Sequence, residues 1–375
     1  MLNLLLILLA IVGLLALVAF VVSRRLSGTD LRAFDAAPPL YRDTDPQSEG
    51  LAKVNDYLVE NFVKPAQAGA NKFGAKTGWE HKRERFDRAG LARTDLVADY
   101  RDDAVEMDGL RVPGRWTLLP GHDPDRRILY LHGGAFTVGS DVSHRPITWN
   151  LATRTGCAVF APNYRLMPEN TRRDAIADAR AAYRWILEHG PDGPGPAEAL
   201  GVAGDSAGGN LALMLINWAR DAGLRPPDAA YALSPSVDST AASPTFKANL
   251  ETDLMLQPLL RPLVKVPRPL LLMGMRRSID MNPSHPDVSP VFANLSDLPP
   301  TLVQASRDEM LHGDAVRWVN KARAAGSLAE LQSWSHMPHV FQIFDDVLPE
   351  AHDALDAAAD FLRTHGVVAR VRSAS

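Results

Sequence analysis

The chain has 375 residues, of which 46% are hydrophobic and 22% are charged, and its formal net charge is −4. This composition is ordinary for a globular protein with one large domain and some additional segments, and the weak negative charge excludes a general attraction to nucleic acid. The single cysteine, Cys157, excludes an intrachain disulfide and a cysteine metal cluster.

The chain begins with an apolar segment. Leu2 to Val22 is almost wholly apolar and is followed by Ser23-Arg24-Arg25; about 20 residues that rise 1.5 Å each would span a bilayer core of about 30 Å. The sequence therefore predicts a transmembrane anchor over residues 1–25, and the arginines after it place the rest of the chain on the cytoplasmic side. The alternative is a cleaved signal peptide and an exported protein, which the lack of Lys or Arg before the apolar run disfavours.

The organisation after residue 25 follows from changes in pattern. Residues 26–50 are rich in Asp, Arg and Pro and are predicted to be a linker, and residues 51–105 have a partly helical apolar pattern without strand alternation. Short apolar strands alternate with helices over 106–238 and 295–375, and a Pro- and Met-rich stretch, 239–294, interrupts them. This alternation predicts an α/β fold with a mostly parallel sheet flanked by helices.

The most informative motif is Gly204-Asp-Ser-Ala-Gly208, which lies between an apolar run and a helical pattern. In that context G-x-S-x-G predicts a sharp strand-to-helix turn that exposes the hydroxyl of Ser206 as a nucleophile. Taken alone, the motif favours a serine that caps a helix, and the rest of the chain overturns that interpretation.

A second glycine motif lies upstream. His132-Gly133-Gly134 directly follows the predicted strand Ile128 to Leu131. Attack on an ester or amide carbonyl needs donors aimed at the developing oxyanion. The N–H groups of Gly133, Gly134 and Ala207 are the predicted donors, the last at a helix N-terminus where the dipole favours negative charge.

A carboxylate and a histidine follow in the order expected after such a serine. Asp308 comes just after a predicted strand, and His339 lies in a loop before the last helix. Glu309 and Asp314 are alternative acids, and His336 is an alternative base. The sequence contains neither metal-ligand spacing nor a dinucleotide or phosphate-binding motif, so no metal and no cofactor are expected.

Together these motifs resemble the hormone-sensitive-lipase-like esterases of the α/β-hydrolase superfamily, from about Arg111 to the C-terminal helix. The motifs that carry the resemblance are His132-Gly-Gly-Ala135-Phe, Tyr164-Arg-Leu-Met-Pro-Glu169, Gly204-Asp-Ser-Ala-Gly-Gly209-Asn, Ser289-Pro290 with Leu298-Pro-Pro-Thr-Leu302, Asp308-Glu-Met-Leu311 and His339-Val-Phe. Two positions depart from the family pattern. Ala135 stands where the family usually has a third glycine, and Met167 stands where it usually has Ala.

The resemblance implies an α/β-hydrolase fold in which Ser206, Asp308 and His339 form the catalytic triad. It favours His339 over His336 because an apolar-Phe pair follows it. His132, Asp205 and Glu169 are expected to support the site, and 51–105 with 239–294 is expected to form a mainly helical cap.

The function implied is a serine carboxylesterase or lipase-like hydrolase that cleaves short- to medium-chain acyl esters through an acyl-enzyme. An amide hydrolase similar to the arylacetamide deacetylases is one alternative. A non-catalytic ligand-binding protein on the same fold is another, disfavoured because all three triad residues are present. The expected partners are a small-molecule ester and, through the N-terminal helix, a membrane; no nucleic acid is expected.

Overall fold

The computed structural model describes residues 13–14, 17–67 and 78–370, of which 13–14 and 17–26 are helical near the N-terminus. Within these residues, no helix has both the length and the apolar character needed to cross a membrane. This finding contradicts the predicted transmembrane anchor and the membrane localisation that was based on it. Residues 1–12 and 15–16 of the predicted segment lie outside the described residues.

Eight strands form the main sheet, in the spatial order β1-β2-β4-β3-β7-β8-β9-β10. The pairs β1/β2 and β2/β4 are antiparallel and all the other pairs are parallel. The strands, including a separate two-stranded ribbon of β5 and β6, are β1 Asp99–Met107, β2 Leu110–Leu118, β3 Asp123–Leu131, β4 Cys157–Pro162, β5 His189–Gly190, β6 Gly193–Pro194, β7 Ala199–Asp205, β8 Ala229–Leu233, β9 Thr301–Ser306 and β10 Ala329–Trp334. The sheet begins at Asp99, which is earlier than the boundary predicted after residue 105.

The helices cover both faces of the sheet and part of one edge. They are α1 Glu49–Leu58, α2 Lys64–Gln67, α3 Trp79–Ala92, α4 Arg145–Thr155, α5 Arg172–Glu188, α6 Ser206–Asp221, α7 Thr245–Ala248, α8 Gln257–Val264, α9 Arg268–Ile279, α10 His312–Ala324 and α11 Pro349–Thr364. A π-helical turn, Val59–Val63, joins α1 to α2, and 3₁₀ turns occupy Arg32–Phe34, Pro290–Phe292 and Phe341–Phe344.

Alternation along the central strands explains the layers. Ile128 and Tyr130 of β3 pack with α4 and α11 on one face, and Leu129 and Leu131 pack with α5 and α6 on the other, because successive side chains of a strand point to opposite faces. Strands β4, β7, β8 and β9 are buried along their whole length, as expected of parallel strands covered on both sides. The predicted α/β-hydrolase sheet is confirmed.

The register of the parallel strands places the C-terminal ends of neighbouring strands side by side. Leu131 at the end of β3 pairs with Gly204 of β7, and Ser306 at the end of β9 pairs with Trp334 of β10. The loops that follow β3, β7, β9 and β10 therefore meet at one edge of the sheet, where open α/β sheets bind their ligands.

The two segments predicted to form a cap pack against these loops. Helix α1 contributes Leu51, Val54 and Leu58 to a cluster with Met337 and Phe341, which flank His339. Residues 245–253 hydrogen-bond to the loop after β9, and α2 packs on α8. Because β1 begins at Asp99, we refer to the described residues of 51–98 as the N-terminal cap segment and to 239–294 as the cap insertion.

The N-terminus of α5 gives a prediction about the stability of the protein. Thr171 and Asp174 form a capping box, in which the Thr171 hydroxyl accepts from the Asp174 N–H and the Asp174 carboxylate accepts from the Thr171 N–H. We expect Thr171→Ala to lower the free energy of unfolding by about 1 kcal/mol, because it removes one helix cap. Urea denaturation measures this, with Thr364→Ala in the last turn of α11 as a control that leaves the midpoint unchanged; equal midpoints for both variants would contradict the prediction.

Candidate active site

Ser206 lies on a strained turn between β7 and α6. Its φ is +51°, a left-handed backbone conformation that is rare for residues other than glycine, and the residue is half-buried. The turn is closely packed, because a Cβ on Gly208 would collide with the Leu131 carbonyl and one on Gly204 would lie 2.5 Å from the Gly208 carbonyl oxygen. Such strain, kept in place by close packing, is typical of a functional residue.

His339 lies in the loop after β10 with its ring buried. Its Nδ1 is 2.5 Å from Glu309 Oε2, and its Nε2 is buried without a hydrogen-bond partner among the described residues. The loop is fixed to the end of β8 by a 3.2 Å hydrogen bond from the Val340 N–H to Ser234 Oγ, and β8 is the neighbour of the strand that carries Ser206.

The predicted acid, Asp308, does not contact His339. Its Oδ2 accepts a hydrogen bond from the His336 N–H and lies 3.6 Å from His336 Nδ1, in a partly exposed position. The reason is the tight turn after β9, which points the neighbouring side chain of Glu309 inward. The Glu309 carboxylate is buried, and its Oε1 accepts from the Ser306 N–H at 2.8 Å.

The remaining candidates are separated from this pair. Asp314 is buried, but its Oδ2 accepts from the N–H groups of Val237 and Asp238 at 3.0 Å each. His336 pairs with Asp308 near the surface. The structure therefore replaces Asp308 by Glu309 as the partner of His339.

Burial and charge set the protonation of the pair. Burial alone would lower the pKa of His339, but the hydrogen bond and the negative charge of Glu309 outweigh it, so the pKa lies above its ordinary value. Burial raises the pKa of Glu309, against the opposing effect of His339. His339 can thus hold a proton that it accepts, and Glu309 fixes which ring nitrogen carries the other one.

One of the three N–H groups predicted to bind the oxyanion is not free. The Gly133 N–H is already engaged, since it donates to Asp205 Oδ1 at 2.8 Å. Among the described residues the N–H groups of Gly134 and Ala135 have no backbone partner, and Ala207 is the second residue of α6, where an N–H has no partner inside the helix. Gly134 and Ala135 have φ values of +110° and +52°, so the loop reverses at these two residues and leaves the Ala135 N–H, rather than that of Gly133, without a partner.

Asp205 joins the serine turn to the loop after β3. Besides the Gly133 N–H, its buried carboxylate accepts from the Tyr130 hydroxyl at 2.5 Å and lies 3.3 Å from His144 Nε2. Burial raises the pKa of Asp205, but the interactions of the carboxylate with His144 and Tyr130 lower the pKa by more than burial raises it. The net pKa is therefore below the ordinary value of 3.8. His144 was not singled out from the sequence, where an isolated histidine in a polar loop gives no signal.

The other two residues expected to support the site have different positions. His132 is buried and stacks on Tyr164 with the ring centroids 4.2 Å apart, and burial lowers its pKa to about 3, so it is neutral. Glu169 does not contact the serine turn. It pairs with Arg83 of α3 at 2.6 Å because the loop that carries it projects toward the N-terminal cap segment.

The Asp205–His144 pair makes a prediction about stability. Burial lowers the pKa of His144, yet Asp205 raises it above 6.5 overall, whereas the pKa of Asp205 is depressed below 3.8. The pair therefore stabilises the fold fully between pH 3.8 and 6.5, and this stabilisation is lost as pH falls through the Asp205 pKa or rises through the His144 pKa. We expect Asp205→Asn to cost about 3 kcal/mol inside that window.

Urea denaturation of wild type and variant across pH measures the difference. Asp221→Asn, an exposed position at the other end of α6, is the matched control and should stay near wild type. A difference between wild type and Asp205→Asn that does not vary with pH would contradict the ion-pair explanation.

No group of three or more His, Cys, Asp or Glu side chains in the described ranges is arranged to hold a metal ion. The arrangement instead contains a strained serine, a buried histidine–carboxylate pair and three unpaired N–H groups at one edge of the sheet. These are the parts needed for acyl transfer through a serine nucleophile.

Comparison with known proteins agrees with this geometry. Residues 128–343 match the family described as α/β-hydrolase fold. An acetyl-hydrolase of Streptomyces hygroscopicus is 36% identical over 289 residues, which is 77% of this chain and 89% of that protein, and an esterase of Acinetobacter venetianus is 33% identical over 62% of this chain and 73% of its own length. The crystal structure of an esterase from the bacterial hormone-sensitive lipase family superposes with a TM-score of 0.69 at 31% identity, covering 85% of this chain and 99% of that one. The chain therefore belongs to the α/β-hydrolase fold family, among its hormone-sensitive-lipase-like serine esterases.

Proposed function

We propose that the protein hydrolyses short- to medium-chain acyl esters through an acyl-enzyme on Ser206, with His339 as the base and Glu309 as its orienting acid. The observation that carries this proposal is the buried 2.5 Å contact between His339 Nδ1 and Glu309 Oε2. It leaves His339 Nε2 as the ring nitrogen available to the hydroxyl of Ser206 on the turn after β7.

The first half-reaction forms the acyl-enzyme. His339 Nε2 accepts the proton of Ser206 as Oγ attacks the ester carbonyl carbon, and Glu309 stabilises the imidazolium that forms. The carbonyl oxygen becomes an oxyanion and receives hydrogen bonds from the N–H groups of Gly134, Ala135 and Ala207. His339 then returns its proton to the leaving alcohol as the carbon–oxygen bond breaks.

Deacylation repeats the same steps with water. His339 accepts a proton from water, the hydroxide attacks the acyl carbon, and the proton is delivered to Ser206 Oγ as the acid product leaves. No further reactant is needed, because the base is regenerated at each half-reaction.

The acyl range is supported by two observations. The Streptomyces relative with 36% identity is named an acetyl-hydrolase, which favours short acyl groups. Helix α1 packs its apolar side chains against the loop that carries His339, so the N-terminal cap segment bounds the site on that side and limits the room for a long chain.

Hydrolysis of p-nitrophenyl esters from acetate to palmitate tests the proposal. We expect the highest kcat/KM for short to medium chains and loss of activity in Ser206→Ala, since that variant lacks the nucleophile. Ser278→Ala, an exposed serine on α9, is the control that retains activity. Ser206→Ala with wild-type activity would refute the mechanism, a maximum at palmitate would refute the acyl range, and an arylamide series run beside the esters shows which bond is preferred.

Adjacent acidic residues provide the sharpest test of the roles. We expect Glu309→Gln to lower kcat on the order of 10³- to 10⁴-fold, whereas the isosteric control Asp308→Asn keeps most of the activity because the Asp308 carboxylate pairs with His336 and not with His339. In wild type, kcat/KM should be lost as pH falls through a His339 pKa above 6.5. In Glu309→Gln that acid limb should move to lower pH, because the carboxylate that raised the pKa is gone.

The pH profiles of both variants show which of the two carboxylates acts on His339. A large loss in Asp308→Asn together with near-normal activity in Glu309→Gln would reverse the assignment of the acid.

A further inference from the structure

The turn that carries Glu309 is held by the cap insertion rather than by the sheet alone. We define the acid turn as residues 307–310, between β9 and α10. Each of its four carbonyl oxygens accepts a hydrogen bond from a side chain of residues 245–252. These bonds are Asn249 Nδ2 to the carbonyls of Arg307 and Glu309 at 2.7 and 2.9 Å, Thr252 Oγ1 to that of Asp308 at 2.7 Å, and Thr245 Oγ1 to that of Met310 at 2.9 Å.

A buried carboxylate completes this set of contacts. Asp253 is 2% exposed, and its Oδ2 accepts from the Met310 N–H at 2.8 Å while its Oδ1 accepts from the Leu256 N–H at 2.9 Å. Burial raises the pKa of Asp253, whereas His339 and the two N–H donors lower it by favouring the ionised form. No Lys or Arg forms an ion pair with Asp253 within the described ranges, so the group that offsets its charge is His339.

Three carboxylates from three elements thus influence the protonation of His339. Glu309 of the acid turn is in hydrogen-bond contact with His339, whereas Asp253 of the cap insertion and Asp205 at the end of β7 act through their charge; all three raise the pKa of His339. Asp253 also raises the pKa of Glu309, which burial raises more strongly. In a buried site such charges interact over several ångströms with little screening, so the imidazolium formed during catalysis benefits from Asp253 as well.

We infer that Asp253 is a positioning residue for the Glu309–His339 pair, because it is buried and holds the acid turn through the Met310 N–H. The cap insertion therefore takes part in building the triad in addition to covering it. This inference rests on the proposed function, because it concerns the same histidine.

The substitution Asp253→Asn, which removes the charge of Asp253, tests its effect on the position of the acid turn and its effect on the pKa of His339. We expect Asp253→Asn to lower kcat on the order of 10- to 100-fold, because small misplacements of catalytic groups cost that much. We also expect the acid limb of kcat/KM to move to lower pH, because one of the charges that raises the pKa of His339 is gone. Glu251→Gln is the matched control. It removes one negative charge two residues away from Asp253 in the cap insertion. The side chain of Glu251 is 70% exposed and binds Arg261, so kcat and the acid limb of kcat/KM should stay at wild-type values.

Asp253→Glu separates charge from position. It keeps the charge but lengthens the side chain, so kcat should fall while the acid limb stays in place. If Asp253→Asn does not fold, as judged by circular dichroism, Asp253→Glu alone still decides, since wild-type kcat in that variant overturns the inference. The inference is also overturned if a folded Asp253→Asn variant keeps the wild-type kcat. It is likewise overturned if that variant loses activity while the acid limb of kcat/KM stays in place.

The titration of His339 can also be followed by NMR without substrate, with the signal assigned by its absence in His339→Ala. A wild-type protein that hydrolyses no ester, but whose His339 pKa falls in Asp253→Asn, would count against the proposed function alone. An unchanged His339 pKa in a fully active Asp253→Asn would count against the inference alone.

Discussion

The structure depends on the register of parallel strands at the centre of the sheet. Because β3 and β7 end level, as do β9 and β10, four loops from distant parts of the sequence meet at one edge. A slip of one residue in any pair would turn the buried side chains of that strand to the wrong face. The position of the site is therefore maintained by the same apolar burial that stabilises the fold.

Two buried carboxylates at this edge of the sheet connect loops to one another. Asp205 ties the serine turn to the loop after β3, and Glu309 ties the acid turn to the histidine loop. Each carboxylate is buried and each accepts backbone N–H groups as well as contacting a histidine. A buried charge that lost one of these partners would be costly, so each connection permits a single geometry, which is what a preorganised site requires.

The cap segments are bound to the catalytic loops by polar contacts as well as by apolar packing. Arg83 of α3 donates to the carbonyls of Thr137 and Met167, and the cap insertion holds the acid turn through side-chain hydrogen bonds. Polar contacts of this kind are directional, so they specify where a loop lies, whereas apolar contacts mainly specify that it is covered. The cap segments thus help to determine the positions of these loops.

The sequence by itself determined the sheet class, the serine turn and the histidine, because each depends on local pattern: apolar runs of strand length, glycines around Ser206 and the order of motifs along the chain. Only the tertiary structure decided which of two adjacent acids meets His339. Asp308 and Glu309 carry the same charge one residue apart, and the direction of a side chain in a tight turn is set by the turn and its neighbours. The same reason separates Gly133 from Ala135, since a backbone N–H becomes a free donor only when no buried acceptor, here Asp205, lies within reach.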